Sequence, residues 1–255
     1  MKISIITAVK NNRKFIGDAI VSVLNQTYPQ IEYIVIDGDS TDGTLNIIRK
    51  YDDYITKWIS EPDEGIYYAL NKGIDMATGD VIGFLHSDDV FADNRAVEEV
   101  AKRFLQYPVK IVYSDLEYVF KNNLNKVFRY WKAGGYKKVS FGFGWMPPHP
   151  TLFVRRDVYE QFGKFNTDYK IAADYDLILR LLSKHRVPST YISEVLVRMR
   201  VGGKSNMGIK NILKKSREDY LILKNNRIGF PLLTVILKNL SKIRQFIYPV
   251  FFRSK

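Results

Sequence analysis

The sequence predicts an α/β protein with a mostly parallel β-sheet flanked by helices and with a basic helical extension at its C-terminus. Two observations support this prediction. Short apolar, β-branched segments alternate with amphipathic segments through the first 120 residues, and polar residues directly follow four of the apolar segments. Strands that are apolar along their whole length are typical of parallel sheets that helices cover on both faces.

The predicted elements alternate in a regular order. Apolar runs predict strands at 2–9, 31–38, 55–60, 80–85 and 109–120. Amphipathic spacing predicts helices between them, at 13–26, about 42–53, 66–76 and about 94–106. The second of these helices has Ser40, Thr41 and Asp42 as candidate caps at its start.

The chain changes in character after residue 120. Residues 121–150 are rich in Lys, Asn, Gly and aromatic side chains, and we interpret them as a loop-rich segment. A strand is then predicted at 151–156, and helices are predicted at 156–163 and 173–185. Gly202 and Gly203 interrupt the chain at the start of the C-terminal extension, residues 201–255, in which helices are predicted at 206–226 and 231–248.

The net charge of +12 is concentrated in the C-terminal extension. Residues 201–255 contain 12 Lys and Arg against two acidic residues, whereas residues 1–200 are close to neutral. The chain has no recognisable nucleic-acid-binding module, so we expect no nucleic-acid partner. Cysteine is absent, which excludes disulfides, thiolate metal ligands and a thiol nucleophile.

Polar side chains collect where the predicted strands end. Asn11 follows the first strand, Asp37 the second, Asp63 the third, and Asp88 with Asp89 the fourth. The carboxyl ends of parallel strands meet at one rim of the sheet, and ligands bind at that rim. Four polar clusters on one rim therefore indicate a binding site.

These acidic residues also have simpler interpretations. The adjacent carboxylates Asp88 and Asp89 suit a divalent cation held between protein and phosphate. On local sequence alone, however, a solvated turn or a cap for the helix near Asp93 is favoured. Asp37 either accepts a hydrogen bond from a ring N–H of a ligand or stabilises its own turn.

Two further carboxylates, Asp174 and Asp176, stand at the start of the helix at 173–185 and point to different faces. One of them can face a cleft as a general base while the other caps the helix or pairs with Arg180. The alternative is that both only complement the helix N-terminus.

Motifs of several common site types are absent. The chain contains no GxGxxG, GxxxxGK[ST], HExxH or GxSxG sequence, which argues against dinucleotide, P-loop, zinc-protease and serine-hydrolase sites. His149 lies in the proline-rich segment MPPHPTLF. This histidine either borders a site or packs within a rigid loop.

The motifs taken together resemble the family 2 glycosyltransferases, which are inverting sugar transferases with the GT-A (Rossmann-like) fold. The resemblance is closest to members that act in bacterial polysaccharide biosynthesis, and it covers about residues 1–200. The matching segments occur in the order SIITAVKNN, IDGDSTDGT, SEPDEGIYYALNKGIDMATGDVIGFLHSDD, HPTLFVRRDVYEQFGKFN and AADYDLILRL.

The resemblance implies specific roles at the site. Asp174 is the expected catalytic base, Asp88 faces the ribose or the metal, and Asp89 ligates the Mn²⁺ or Mg²⁺ that holds the diphosphate. The remaining nucleotide-sugar-binding residues implied by the resemblance are Thr7, Ala8, Val9, Asn11, Asp37, Asp63 and Lys72. Acceptor or diphosphate contacts are expected from His149 and Lys204.

The chain departs from the family pattern at several positions. The family's Glu-Asp pair is here Ala173-Asp174, and Tyr68 replaces an acidic residue. His86 stands where many relatives have Asn or Asp, so we assign it no role. The QxxRW motif of processive synthases is absent, and no apolar run reaches the roughly 20 residues of a membrane span. We therefore expect a single-addition enzyme.

The resemblance divides the chain into a nucleotide-sugar-binding half at 1–120, an acceptor-binding and catalytic-base half at 121–200, and the basic extension. It implies a hexosyl- or N-acetylhexosaminyltransferase with a UDP-linked donor and a glycan or lipid-linked acceptor, acting in cell-surface polysaccharide biosynthesis. The alternative is a catalytically silent nucleotide-sugar-binding module that acts through protein partners.

The last predicted helix has an apolar stripe. Its members are Leu233, Ile236, Leu240, Ile243 and Ile247. An amphipathic helix in a basic segment is typical of proteins that lie on anionic lipid, so we expect a peripheral location on the inner face of the bacterial cytoplasmic membrane. The alternatives are that the stripe packs on the catalytic domain or on a second subunit in a homodimer.

Overall fold

A computed structural model describes residues 1–137, 139–202 and 209–251. The described chain contains one nine-stranded sheet. Its strands are β1 (Ile3–Val9), β2 (Ile31–Asp37), β3 (Lys57–Ser60), β4 (Val81–Phe84), β5 (Val90–Phe91), β6 (Ile111–Phe120), β7 (Asn123–Trp131), β8 (Phe153–Arg155) and β9 (Ser189–Arg200). The helices are α1 (Ile16–Leu24), α2 (Thr44–Lys50), α3 (Ile66–Met76), α4 (Ala96–Gln106), α5 (Arg156–Phe162), α6 (Ala173–Leu179), α7 (Ile209–Asn225) and α8 (Pro231–Phe251).

The sheet is mixed but mostly parallel, as the sequence predicts. Its order is β3-β2-β1-β4-β8-β6-β9-β5, and β7 pairs with β6. The pairs β2–β3, β1–β2, β1–β4 and β6–β9 are parallel. Strand β8 lies antiparallel between β4 and β6, so six strands share one direction while β5, β7 and β8 oppose it.

The parallel register brings the carboxyl ends of the first four strands to one rim. Val9 lies opposite Asp37, and Asp37 lies opposite Ser60. On the other side of β1, the backbone N–H of Leu85 donates to the carbonyl of Ile6 over 3.0 Å. The loops after β1, β2, β3 and β4 therefore open on the same rim, where the sequence analysis placed a site.

Helices cover both faces of the sheet, and each face has its own apolar core. One core contains residues of α1, α2 and α4, represented by Ile20, Ile48 and Val100. The other core contains residues of α3, α6, α7 and α8, represented by Leu70, Leu177, Ile222 and Val235. Because α7 and α8 contribute fully buried side chains, the C-terminal extension is part of the folded domain.

Several features differ from the prediction, among them the two-residue strand β5, which was not predicted. The predicted loop at 121–150 contains β7, which forms a hairpin with β6; β7 has no fully buried residue, so its polar composition resembles that of a loop. Strand β9 was not predicted, because a bulge between Ile192 and Val195 interrupts the alternation of its side chains. Helix α2 is shorter than predicted, and a 3₁₀ turn at Asp52–Tyr54 follows it.

Buried charged residues attach the C-terminal helices to the segment that precedes α6. The Glu218 carboxylate accepts the backbone N–H groups of Lys170, Ile171 and Ala172, at 3.2, 2.9 and 2.9 Å, immediately before α6 begins. Because a helix start has unpaired N–H groups and a partial positive charge, an anionic cap from α7 stabilises α6.

A second buried contact joins α7 to α8. Lys238 Nζ lies 2.8 Å from Asp219 Oδ1, and both side chains are less than a tenth exposed. The same ammonium lies 3.2 Å from the ring centroid of Tyr175 on α6. Helix α8 approaches closely at Gly144, where a Cβ would stand 2.4 Å from the Lys238 backbone nitrogen.

The apolar stripe predicted on α8 faces outward. Leu233, Ile236 and Leu240 are 51%, 48% and 53% exposed, whereas Thr234 and Val235 on the opposite side are buried. The alternative that the stripe packs on the catalytic domain is therefore wrong for these three residues. The side chains of Ile243 and Ile247 lie outside the described part of the chain.

We predict that Asp219→Leu destabilises the protein more than the double variant Asp219→Leu/Lys238→Met does. Removing one member of a buried ion pair leaves an uncompensated charge and costs about 3 to 5 kcal/mol, whereas replacing both with apolar residues is often close to neutral. Urea unfolding of the two variants and the wild type measures the difference. Equal stability of the single variant and the wild type would contradict the inferred contact.

Candidate active site

Hydrogen bonds join the rim loops to one another. The backbone N–H of Asn11 donates to Ser40 Oγ, and the Asn11 side-chain oxygen accepts the N–H of Thr41, both at 2.8 Å. Asn12 Nδ2 donates to Ser87 Oγ at 2.9 Å. Asn11 has a positive φ of 54°, a conformation that Asn tolerates better than most residues. The contacts hold the loops after β1, β2 and β4 in one layer.

Asp37 is fully buried at the end of β2, and one of its oxygens is left for a ligand. Oδ2 accepts the Ser60 hydroxyl at 2.6 Å and the backbone N–H of Ser40 at 3.0 Å. Oδ1 is buried and has no hydrogen-bond partner among the described residues. A buried acceptor without a partner is costly, so an N–H group brought by a ligand would stabilise it.

The three residues at the end of β1 are almost completely buried. Thr7 Oγ1 donates to the Leu85 carbonyl at 2.8 Å and accepts the Tyr33 hydroxyl at 3.1 Å, so this hydroxyl is engaged inside the sheet. Ala8 and Val9 are 7% and 4% exposed. The structure thus gives these side chains little access to a ligand, and their contact with a nucleotide base stays a prediction.

Asp89 resembles Asp37 in having one free oxygen. Its Oδ1 accepts the backbone N–H of Arg200 at 3.1 Å, while its buried Oδ2 has no partner in the described chain. Burial and the adjacent charge of Asp88 raise the pKa of Asp89 well above its usual range. Neither residue caps α4, whose preceding turn is closed by Asp93 accepting the Arg95 N–H at 2.7 Å. The capping interpretation is therefore wrong.

The oxygen set at Asp88 and Asp89 fits a divalent cation. Mg²⁺ and Mn²⁺ commonly take one or two carboxylates and complete their coordination with water and phosphate. The free Asp89 oxygen is a ligand of this kind. No cluster of three or more His, Asp or Glu residues suited to a metal occurs in the described part of the chain. The two carboxylates would suit a cation that takes its remaining ligands from water and phosphate.

Arg200, at the end of β9, holds the loop that carries the acidic pair. Its side chain is 4% exposed, and its Nη1 donates to the Asp88 carbonyl at 2.6 Å. Its Nη2 pairs with Asp18 Oδ2 at 2.5 Å, and its Nε donates to the Lys121 carbonyl at 3.2 Å. The sequence analysis missed this residue. Its partners are 79 or more positions away along the chain, so no local pattern identifies it.

Asp63 and Lys72 contact each other above the loop that follows β2. Lys72 Nζ lies 2.7 Å from Asp63 Oδ1 and 2.5 Å from Glu61 Oε1. A Cβ placed on Gly38 would stand 3.6 Å from Asp63 Oδ2, so this pair lies next to Asp37. The structure thus brings together two predicted residues that are nine positions apart on a loop and on α3. Lys204 lies outside the described residues.

Asp174 is a buried carboxylate with two side-chain partners. Its Oδ2 lies 3.1 Å from His149 Nδ1, and its Oδ1 lies 3.2 Å from the Tyr67 hydroxyl. Burial opposes ionisation, but His149, Lys215 and Lys238 outweigh it and lower the pKa of Asp174. The neighbouring Asp176 instead pairs with Arg180 at 2.8 Å, as one of the sequence alternatives predicted. The lowered pKa favours the ionised form of Asp174 at neutral pH.

His86 and His149 connect Asp174 to the acidic-pair loop. His149 Nε2 lies 2.8 Å from His86 Nε2. Burial lowers the pKa of His149 to about 4, although the Asp174 charge acts in the opposite direction. Both histidines and Asp174 line one narrow pocket whose walls include Phe84 and Phe165. The sequence analysis gave His86 no role, and its contact with His149 arises only from the fold.

Three kinds of comparison bear on this site. The sequence profile described as "Glycosyl transferase family 2" matches residues 4–163. The "PGL/p-HBAD biosynthesis glycosyltransferase" of Mycobacterium bovis BCG is 28% identical over 246 residues, which cover 94% of this chain and 91% of that protein. An uncharacterised glycosyltransferase of Mycobacterium tuberculosis is 32% identical over 181 residues, covering 70% of this chain and 68% of that protein.

Solved structures share the fold. The S. aureus TarS fragment 1–349 in complex with UDP-GlcNAc aligns with a TM-score of 0.70 at 16% identity, covering 100% of this chain and 77% of that chain. The mannosyltransferase PcManGT from Pyrobaculum calidifontis, in complex with GDP-Man and Mn²⁺, aligns with a TM-score of 0.67 at 16% identity, covering 96% of this chain and 73% of that chain. These likenesses confirm the predicted GT-A architecture.

We predict that Arg200→Met loosens the acidic-pair loop. The substitution keeps an apolar stem but leaves the carbonyls of Asp88 and Lys121 without donors, at a cost of about 2 kcal/mol or more. Hydrogen–deuterium exchange should show faster exchange of the backbone amides of 87–90, together with a lower melting temperature.

The matched control is Arg198→Met, on the same strand. The Arg198 side chain pairs with Glu117 at 3.2 Å, and its backbone, which lies opposite Val90 in the β5–β9 pair, is not altered by the substitution. Unchanged exchange at 87–90 in Arg200→Met, or an equal increase in both variants, would contradict the assignment.

Proposed function

The chain belongs to glycosyl transferase family 2 and is a glycosyltransferase with a nucleotide-sugar donor, and we propose that it is a metal-dependent inverting enzyme that adds one sugar to a hydroxyl group of a glycan or lipid-linked acceptor. One observation carries this proposal. Two buried oxygens without partners in the described chain, Asp37 Oδ1 and Asp89 Oδ2, stand at the rim, and the ionised Asp174 shares a pocket with His86 beside that rim.

Asp174 is the base of the proposed reaction. It takes the proton of the acceptor hydroxyl, whose oxygen forms a bond to the anomeric carbon of the donor sugar. The bond from that carbon to the diphosphate oxygen breaks, and its electron pair leaves with the diphosphate. Attack opposite the leaving group inverts the anomeric configuration in one displacement. A second catalytic carboxylate, which retaining glycosidases need, is not required.

We propose a UDP-linked hexose or N-acetylhexosamine as the donor. The complex of TarS with UDP-GlcNAc supports this choice, and the free Asp37 Oδ1 suits a ring N–H of the base. Asp63 and Lys72 lie next to Asp37 and are proposed to close over the nucleotide sugar. Asn11 and the backbone at Thr7, Ala8 and Val9 would border the base.

We propose that Asp88 and Asp89 hold Mn²⁺ or Mg²⁺ together with the diphosphate. The Mn²⁺ in the PcManGT complex supports a divalent cation in this fold. When bound, the cation supplies positive charge that stabilises the leaving diphosphate. Lys204 is proposed as an additional diphosphate contact. Arg200 would keep both carboxylates at the rim through its contacts with the loop.

We propose that three successive segments of the chain have different roles. Residues 1–120 form the nucleotide-sugar-binding half, 121–200 the acceptor-binding and catalytic-base half, and 201–255 the basic extension. The name of the M. bovis relative, which refers to PGL/p-HBAD biosynthesis, supports an acceptor in cell-surface glycan or glycolipid synthesis.

We propose that the outward face of α8 lies on an anionic membrane surface. Leu232, Leu233, Ile236 and Leu240 are about half exposed or more, and Phe143, on the 3₁₀ turn that α8 contacts, is 68% exposed. Among the described residues, none of the helices has the length and hydropathy needed to cross a bilayer. A peripheral location on the inner face of the cytoplasmic membrane fits this surface.

The basic composition of the C-terminal extension favours anionic lipid. Residues 201–255 carry 12 Lys and Arg against two acidic residues. Lys238 does not contribute to this surface, because it is buried against Asp219 and Tyr175. The positive charge of the segment adds to the apolar contribution of α8 at an anionic surface.

We predict that the purified protein, incubated with Mn²⁺ and a panel of nucleotide sugars and acceptors, releases nucleotide from a UDP-linked donor. Asp174→Asn should lower transfer by about 10²-fold or more, because a general base contributes about 10²- to 10⁴-fold, while nucleotide binding is retained. Chelation of the metal with EDTA should suppress transfer, and added Mn²⁺ should restore it.

The control for the base is Asp168→Asn, which changes an exposed carboxylate six positions away and should leave transfer unchanged. Transfer that survives in Asp174→Asn would show that another group is the base. Nucleotide binding without release from any donor or acceptor would instead favour a catalytically silent binding module.

We predict that the triple variant Leu233→Gln/Ile236→Gln/Leu240→Gln binds vesicles of anionic phospholipid at least about tenfold more weakly than the wild type, since each leucine-sized side chain contributes roughly 1.5 to 3 kcal/mol when fully buried. Co-sedimentation with vesicles measures the binding. The control variant Tyr54→Gln/Leu105→Gln/Tyr107→Gln removes three exposed apolar side chains elsewhere. Equal binding by both variants would contradict the proposal, and a change from dimer to monomer in the first would favour a homodimer interface.

A further inference from the structure

Three hydrogen-bonded side chains, Asp174, His149 and His86, connect α6 to the loop that carries Asp88 and Asp89. Asp174 Oδ2 lies 3.1 Å from His149 Nδ1, and His149 Nε2 lies 2.8 Å from His86 Nε2. The two imidazole rings are 5.0 Å apart between centroids. The following inference rests on the proposed role of Asp174 as the base and concerns what the two histidines do for it.

The number of available protons determines the tautomers of the two histidines. An ionised carboxylate only accepts hydrogen bonds, so His149 must carry its proton on Nδ1 to bond Asp174. A neutral imidazole has one N–H group, so His149 Nε2 is then an acceptor. His86 Nε2 must therefore carry the proton that it shares with His149. The lowered pKa of His149 agrees with a neutral imidazole, and the charges of Lys215 and Lys238 favour the ionised form of Asp174 beside it.

The two oxygens of Asp174 have unequal partners. Oδ1 lies 3.2 Å from the Tyr67 hydroxyl, but the same hydroxyl lies 2.8 Å from the carbonyl of Ile171. A tyrosine has one O–H proton, and the shorter contact takes it. Oδ2 is thus held by His149, whereas Oδ1 keeps an available lone pair.

We propose that His149 is a positioning residue that holds Asp174 through Oδ2, that Oδ1 is the atom that takes the acceptor proton, and that His86 fixes the tautomer of His149. Neither histidine exchanges a proton with the acceptor in this assignment.

Both histidines are held by rigid backbone. His149 begins a 3₁₀ turn between Pro148 and Pro150. Thr151 Oγ1 ties this turn to β6, since it lies 3.0 Å from the Ser114 carbonyl. His86 lies two residues after the end of β4, and its carbonyl accepts the backbone N–H of Asp89 at 3.0 Å. The position of Asp174 is therefore coupled through two imidazoles to the loop that carries Asp89.

Loss of His149 would affect the base in a specific way. Leu70, Phe84 and Phe165 line the same pocket, so Oδ2 would be left beside apolar side chains. A carboxylate without a partner in such surroundings becomes less easily ionised and less well oriented. The turnover number should fall, whereas binding of the nucleotide at the rim should be unaffected.

The first experiment is spectroscopic and does not require that the protein transfer a sugar. The chain has three histidines, so long-range ¹H–¹⁵N spectra of the imidazoles are assignable by one variant at a time, His86→Gln, His149→Asn and His185→Gln. We expect the Nδ1–H tautomer for His149 and the Nε2–H tautomer for His86 in the wild type. The Nε2–H tautomer for His149 would overturn the proposal, even if the protein proves to be an active transferase.

The second arm is kinetic. We expect His149→Ala to lower kcat by roughly ten- to a hundredfold, a part of the contribution of a general base, with the Kd for UDP changed less than about twofold. His149→Asn, whose amide nitrogen can replace Nδ1 as the donor to Asp174, should recover part of kcat. His86→Gln, which keeps a donor for His149, should retain more activity than His86→Ala.

The control is His185→Gln, because His185 stacks on Phe162 with 4.2 Å between ring centroids and is exposed. It should leave kcat unchanged, and melting temperatures of all variants exclude unfolding as the cause. Wild-type kcat in His149→Ala would overturn the positioning role. A wild type that transfers no sugar but shows the expected tautomers would refute the proposed function while retaining the Asp174–His149 contact.

Discussion

The need to stabilise carboxylates inside the protein is the constraint on which the rest of the site depends. Asp37, Asp89 and Asp174 are all at least nine-tenths buried, and burial of an unpaired carboxylate is costly. The fold provides each of them with partners: Ser40 and Ser60 for Asp37, the Arg200 backbone for Asp89, and His149 for Asp174. Asp37 and Asp89 nevertheless keep one oxygen unpaired, and these oxygens are where a ligand would be stabilised.

The C-terminal helices participate in the same scheme. Glu218 of α7 caps the start of α6, and Lys238 of α8 lies against Tyr175 on that helix. The family profile ends at residue 163, so these contacts come from a segment that the profile does not include. Helix α8 therefore has one face directed outward and one face directed at α6. Binding of the outer face to lipid would therefore constrain the helix that carries Asp174.

Different parts of the fold were predictable to different extents. Strands β1, β2 and β4 were predicted because most of their residues are apolar, and α1, α3 and α4 because their apolar residues follow a helical period. Strand β7 was not predicted because an exposed strand has the composition of a loop, and β9 because a bulge breaks its alternation. The sequence analysis gave no role to Arg200 and His86 for a related reason, since each contacts residues that are distant along the chain.

The sequence by itself determined the family, the α/β class and the identity of the acidic residues at the rim, because these depend on local patterns and on motif order. Only the tertiary structure decided which of those residues keep a carboxylate oxygen without a hydrogen-bond partner in the described chain. Thr7, near the end of β1, has its hydroxyl engaged inside the sheet, whereas Asp37, at the end of the next strand along the chain, keeps Oδ1 without a partner among the described residues. Hydrogen-bond partners come from across the sheet and from α7 and α8, and no pattern along one segment specifies such contacts.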